Sequence, residues 1–168
     1  MDLTNRIAEL YKKVQNVPYY CLEEKDFTKL FELNKGSCAE KNTYLGEAYK
    51  KFGLDVKYYL ISFNWSRLPI PSYVLEKLND IIGKHLALKA KINENWLWVD
   101  ATWDPPLEKA GFPVTKNWEG TSDTKLAVKP LKIVEFEPEQ KFKVSTSLEF
   151  YKELNNYLER IRKSYEKI

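Results

Sequence analysis

Cys38, His85 and Asp100 are side chains that together can carry an acyl group through sulfur. A cysteine can attack an amide or ester carbonyl, an imidazole can move the protons that attack and departure require, and a carboxylate can fix the ring and support its positive charge. His85 is the sole histidine of the 168 residues, so such chemistry has a single imidazole to draw on.

Three elements must position this trio. Asn34-Lys35-Gly36 is a loop signal, and Ser37-Cys38-Ala39-Glu40 matches the capping box S-x-x-E, with Ser37 as N-cap, Glu40 at N3 and Gly53 as the stop. Cys38 then occupies the first helical position, where unpaired N–H groups and the helix dipole favour a thiolate. Its own N–H is a natural oxyanion donor, and the second donor is left unassigned. Glu40 opposes the thiolate and Lys41 offsets Glu40.

His85 opens one predicted strand and Asp100 ends the next. With Asn93-Glu94 as a two-residue turn, Ala87 faces Asp100 across a hairpin, and one side carries only Leu86, Leu88, Ala90, Ile92, Leu97, Val99 and Ala101. The other side carries His85, Ala87, Lys89, Lys91, Trp96, Trp98 and Asp100. His85 and Asp100 become diagonal neighbours, about 7–8 Å apart at the backbone, within reach of an imidazole and a carboxylate. A one-residue slip would break both the apolar face and the pair. The small Ala87 leaves room for the start of the Cys38 helix.

The remaining pattern frames this centre. Leu3, Ile7, Leu10, Tyr11 and Val14 predict a helix over about 3–15 that Pro18 ends, and a short helix falls near 26–33. Val56 to Ser62 reads as a strand. Residues 63–84 read as a surface excursion with a short helix near 73–82 ended by Gly83. Residues 107–146 mix Gly, Pro and a strand candidate at Lys132 to Phe136, and are read as a lid or substrate-binding lobe. Leu148, Tyr151, Leu154, Leu158, Ile161 and Tyr165 predict a closing helix over 147–168, with Thr146 and Glu149 as a second capping box. Its basic residues, including Arg160 and Arg162, read as a solvated face. The fold class expected is α+β, in one domain over 1–168 with its core at about 30–105.

Composition narrows the partners. The chain is 43% hydrophobic and carries 27 Lys and Arg against 24 Asp and Glu, a dispersed net charge of +3, so no nucleic-acid partner is expected. No apolar run approaches the roughly 18–20 residues of a membrane span, and Met-Asp-Leu-Thr lacks the order of a signal peptide. No membrane association and a cytoplasmic location are therefore expected. One His and two Cys without close spacing fall short of a zinc set, so neither metal nor cofactor is expected. Trp65, Trp96, Trp98, Trp103 and Trp118 are candidates to line a substrate cleft or, equally, to pack in the core and its rim. Cys21 is read as core or surface. Asp104 is either a substitute for Asp100 or a cap of the Pro105-Pro106 turn.

Gly36-Ser37-Cys38-Ala39-Glu40-Lys41 heading a helix, His85-Leu86-Ala87-Leu88 opening a strand, and Trp96-Leu97-Trp98-Val99-Asp100-Ala101-Thr102 together resemble the core of the transglutaminase-like superfamily, within the wider papain-like group. The resemblance covers roughly residues 30–105. It implies a cysteine-bearing helix packed on an antiparallel sheet that bears the histidine and aspartate. It also implies thiol chemistry on amide bonds through a thioester, a class that spans cysteine proteases, amidases, deglycosylating enzymes and cross-linking enzymes. The chain is far shorter than the calcium-dependent cross-linkers and shows no acidic calcium loop. It also lacks the length and extra domain of arylamine acetyltransferases. Three readings follow: a thiol hydrolase acting on peptide or side-chain amides of a peptide or protein substrate, an acyltransferase with an amine acceptor, and a non-catalytic binding module on the same fold.

Overall fold

A computed structural model describes residues 2–137 and 147–166. The protein is α+β, with four antiparallel strands in the order β3-β2-β1-β4 between layers of helix. The strands are β1 (Val56–Asn64), β2 (Ile82–Ile92), β3 (Asn95–Val99) and β4 (Lys132–Phe136). The helices are α1 (Leu3–Asn16), α2 (Leu30–Leu33), α3 (Cys38–Lys51), α4 (Ser72–Leu75) and α5 (Leu148–Glu166).

The predicted hairpin register is the observed one: Leu88 pairs with Val99 and Lys89 with Trp98. Asn93 and Glu94 both take positive φ, 50° and 69°, as a two-residue turn matching the strand twist requires. The alternation of β2 then assigns its residues to two cores. Leu86, Leu88, Ala90 and Ile92 join Ile7, Tyr11 and Val14 of α1 and Leu45 and Tyr49 of α3. Ala87 joins Ile61 and Phe63 of β1 and Phe150, Leu154, Leu158 and Ile161 of α5. Truncating a buried Leu or Ile to Ala in such a core costs about 2–5 kcal/mol. At Gly46, α3 runs so close to β1 that a methyl group would overlap the Tyr58 ring.

Several elements differ from expectation. The helix predicted over 73–82 is the single turn α4, because Ile82 to Lys84 are already drawn into β2 by pairing with Phe63, Asn64 and Ser62. β2 consequently starts before His85, which sits inside a strand bonded on one side to Ile61. The short helix near 26–33 is a 3-10 turn over Phe27–Lys29 followed by α2. At the closing helix the observed cap is Ser147, whose hydroxyl accepts from Phe150 N–H at 3.1 Å. Thr146 lies outside the described residues, as does the part of the 107–146 segment from 138 onward. No helix among the described residues is long and apolar enough to cross a membrane.

Candidate active site

Cys38 starts α3 because the chain arrives there extended, with Ser37 at φ −87° and ψ −173° after the left-handed Asn34. The approach is fixed by a parallel bridge to the segment after α1: Tyr20 N–H donates to Gly36 O at 3.0 Å and Gly36 N–H to Pro18 O at 3.2 Å. The predicted capping box does not form. Ser37 Oγ instead donates to Glu40 Oε2 at 2.6 Å, because a buried carboxylate competes better for the hydroxyl than the hydroxyl does for a backbone N–H. The start of α3 therefore receives no side-chain acceptor from its N-cap residue.

His85 and Asp100 are both buried, and His85 Nε2 lies 2.7 Å from Asp100 Oδ2. The same carboxylate oxygen accepts from Ala127 N–H at 2.8 Å. Oδ1 accepts from Asn42 Nδ2 at 3.1 Å, from Thr102 N–H at 3.2 Å and from the Thr102 hydroxyl. Burial pushes Asp100 toward the neutral acid, but the His85 charge and these hydrogen bonds outweigh it and hold the carboxyl below its usual range. Burial likewise opposes charge on His85. The Asp100 carboxylate, then the charge on Cys38 and hydrogen bonds to both, reverse that and raise the imidazole well above its ordinary value. Since Nε2 faces Asp100, Nδ1 is the nitrogen left for the thiol.

Cys38 and His85 open onto one cavity of about 200 Å³, walled by Tyr19, Phe63, Trp65, Trp103 and Tyr151. Trp65 and Trp103 are thus at the cleft, and Trp65 Nε1 has no hydrogen-bond partner among the described residues. Gly83 makes room for that indole, since a methyl there would lie 2.5 Å from Nε1. Trp96 and Trp98 are elsewhere, because the hairpin carries them to the far end of the sheet. There Lys57 lies 4.9 Å over Trp96 and Lys89 4.7 Å over Trp98. Trp118 packs against Tyr11 in the α1 core.

Four residues build the surroundings, and of these the sequence had singled out Lys41 alone, as a charge offsetting Glu40, whereas its ammonium turns to backbone carbonyls. Asn42 lies one helical turn beyond Cys38, and its amide ties Leu86 O, Asp100 Oδ1 and Ala101 N–H together. Its position at i+4 on the buried side of an amphipathic helix was the available signal. Lys41 is fully buried, and its ammonium donates to the carbonyls of Gln15, Val17 and Thr102. Burial lowers its pKa to about 7, against the raising pull of Asp104 and Asp100. Thr124 accepts from Asp100 N–H at 2.9 Å, so residues 124–127, within the stretch read as a lid or lobe, bond the candidate aspartate from outside the sheet. Ala127, the fourth, carries no side-chain signature of this role.

Asp104 does not cap the Pro105-Pro106 turn. Both its oxygens meet the Arg162 guanidinium, at 2.7 and 2.9 Å, and Oδ1 also accepts Tyr19 N–H. Arg162 is accordingly buried and not on a solvated face, because α5 turns it inward toward this carboxylate. Among the described residues, no group of three or more His, Cys, Asp and Glu side chains could hold a metal ion.

No protein-family model matches the chain, and no curated protein matches its sequence. Among solved structures it is similar to one named "putative cysteine protease" from Cytophaga hutchinsonii, at 18% identity and a TM-score of 0.43. The similarity covers 64% of this chain and 34% of that one, so the chain spans about a third of the length of the protein it matches.

Proposed function

We propose that this protein is a transglutaminase-like thiol hydrolase that cleaves peptide or side-chain amide bonds through Cys38, His85 and Asp100. The observation that carries this reading is the buried His85–Asp100 pair at 2.7 Å opening, with the thiol at the start of α3, onto one aromatic-walled cavity. Cys38 Sγ attacks the substrate carbonyl carbon, and the oxyanion forms beside the uncapped N–H groups at the start of α3. His85, holding its proton against burial with the help of Asp100, gives it to the leaving amine as the C–N bond breaks. Water then attacks the thioester while His85 takes its proton, and the thiolate departs with the acid released.

The test is the rate of Cys38 alkylation by iodoacetamide over about pH 4–9, in a Cys21→Ala background with and without His85→Ala. Reaction that persists well below neutrality and loses this limb without His85 supports the thiolate–imidazolium pair. Reaction like that of an ordinary thiol sinks the proposal and leaves a binding module on the same fold. With a cleavable amide in hand, product analysis with and without a primary amine separates hydrolysis from transfer.

A further inference from the structure

Tyr19 and Gly36 face each other in the parallel bridge that brings the chain to α3. Two residues further along each segment stand Cys21 and Cys38. The bridge ends before either cysteine, since Cys38 already begins α3, and the cavity is what brings the two thiols together. Cys21 and Cys38 both line that cavity, and both are free thiols. The charge of Cys38 acts on the Cys21 thiol, and a disulfide requires the two Cα atoms to come within roughly 4.4–6.8 Å. Asn155 of α5 holds Cys21 in place, accepting from its N–H at 2.8 Å and donating to its carbonyl at 3.0 Å.

We infer that Cys21 is the resolving thiol for Cys38, so that a hydroperoxide converts the two into a reversible disulfide that closes the site. The proposal rests on the reading of Cys38 as a reactive thiolate, and adds a modification that this reading does not require. In the first step the Cys38 thiolate attacks the hydroperoxide. An S–O bond forms, the O–O bond breaks, and the departing alkoxide or hydroxide takes a proton, leaving a sulfenic acid. In the second step the Cys21 sulfur attacks Cys38 Sγ. The S–S bond forms, the S–O bond breaks, and the hydroxide leaves with the Cys21 proton as water. Two thiols are oxidised and one hydroperoxide is reduced to an alcohol, or to water from hydrogen peroxide itself.

The surroundings give the two sulfurs different parts. Burial pushes the Cys21 thiol up to about 12, partly countered by its hydrogen bond to the Tyr19 hydroxyl and by the Lys25 charge. Cys21 thus stays protonated, and the first oxidation falls on Cys38. Cys21 Sγ donates a hydrogen bond to Tyr19 Oη at 3.5 Å, which orients the thiol on the cavity wall.

The experiment treats reduced wild type and Cys21→Ala with hydrogen peroxide, and separately with the thiol oxidant diamide, then reads peptide masses before and after dithiothreitol. Wild type should lose two hydrogens in a Cys21–Cys38 linked peptide and recover iodoacetamide-reactive Cys38 on reduction. Cys21→Ala should go on to the sulfinic acid and recover about tenfold less. Equal over-oxidation of both proteins, with no linked peptide from either oxidant, overturns the inference. The wild-type masses decide it alone should Cys21→Ala fail to fold. A linked peptide under diamide, with Cys38 inert to iodoacetamide below neutrality, keeps the cysteine pair and removes the catalytic reading.

Discussion

Asp100 Oδ2 accepts from His85 Nε2 at 2.7 Å and from Ala127 N–H at 2.8 Å, while Oδ1 is taken by Asn42 and Thr102. The donors are held by β2, α3, the 124–127 segment and, for Thr102, the chain directly after Asp100. A carboxylate surrounded in this way cannot rotate, and the ring it holds cannot rotate either. The arrangement keeps Nδ1 of a buried imidazole aimed away from the carboxylate, toward the cavity that Cys38 shares.

Asp100→Asn tests this relationship with little change in volume. The amide nitrogen must face either Ala127 N–H or the Asn42 and Thr102 donors, and the negative charge that holds the His85 proton is gone. Amide hydrolysis should fall on the order of a thousandfold or more. Steady-state kcat/KM against wild type checks it, and a loss below tenfold would show that Asp100 does not orient the base.

The raised His85 pKa fixes the direction of the pH profile. The imidazolium is needed to protonate the leaving amine, so kcat/KM should decline on the alkaline side, as pH approaches about 10. Asp100→Ala removes the largest raising influence and leaves burial, which lowers the pKa. The alkaline limb should then move down by on the order of a few pH units. A limb that stays in place would assign that titration to another group.

Asn42→Ala should impair the site without touching the reacting atoms. The change frees Asp100 Oδ1 from one donor and leaves Leu86 O and Ala101 N–H short of a buried partner. Stability should drop by about 1–3 kcal/mol per group left unpaired. The alkaline limb of activity should also shift, because the Asp100–His85 pair loses its rigid support. A stability loss with an unshifted limb would make Asn42 a packing residue alone.

The pairing of His85 with Asp100 was legible because a left-handed two-residue turn at Asn93-Glu94 sets the hairpin register, and the apolar face tolerates no slip. Helices α1 and α5 were legible from apolar stripes that end at Pro18 and begin near Leu148. Ser37 was misread because a sequence motif does not say which of two acceptors or donors a hydroxyl prefers, and here the buried Glu40 carboxylate wins. The roles of Ala127 and Thr124 were beyond reach, since the Ala127 backbone N–H looks like that of any residue, a single threonine hydroxyl carries no signature, and the approach of both to Asp100 depends on the tertiary path. Trp65 and Trp96 look alike in sequence as well. Only the length of β2 separates the cleft end of the sheet from the hairpin end.

Lys41 makes a prediction of opposite sign to His85. Its folded pKa, lowered by burial to about 7, lies below the roughly 10.4 of an unfolded lysine. Between those values the unfolded chain binds more protons at this site, so its contribution to stability rises with pH across that window and is lowest below pH 7. Lys41→Met abolishes the titration but strands the three carbonyls of Gln15, Val17 and Thr102. Urea denaturation at pH 7 and pH 9 should show a rise attributable to Lys41 as the difference between wild-type and variant slopes. Parallel slopes would mean that the ammonium keeps its proton in the folded protein.

Arg162 and Asp104 separate support of the fold from support of the chemistry. Arg162 joins α5 to Asp104 and to Tyr19 O, at 2.9 Å, so the pair locks together the segment before Cys21, the loop after Asp100 and the last helix. Arg162→Met strands the Asp104 carboxylate among buried groups, which should cost about 3–5 kcal/mol. The double variant Arg162→Met with Asp104→Leu removes both charges and should recover part of that loss. Under conditions where the single variants stay folded, Cys38 alkylation at low pH should match wild type, because neither residue touches the imidazole. If Asp104→Asn instead abolished the low-pH reaction while Asp100→Asn did not, Asp104 would be the carboxylate that serves His85, and the 2.7 Å pair would be structural.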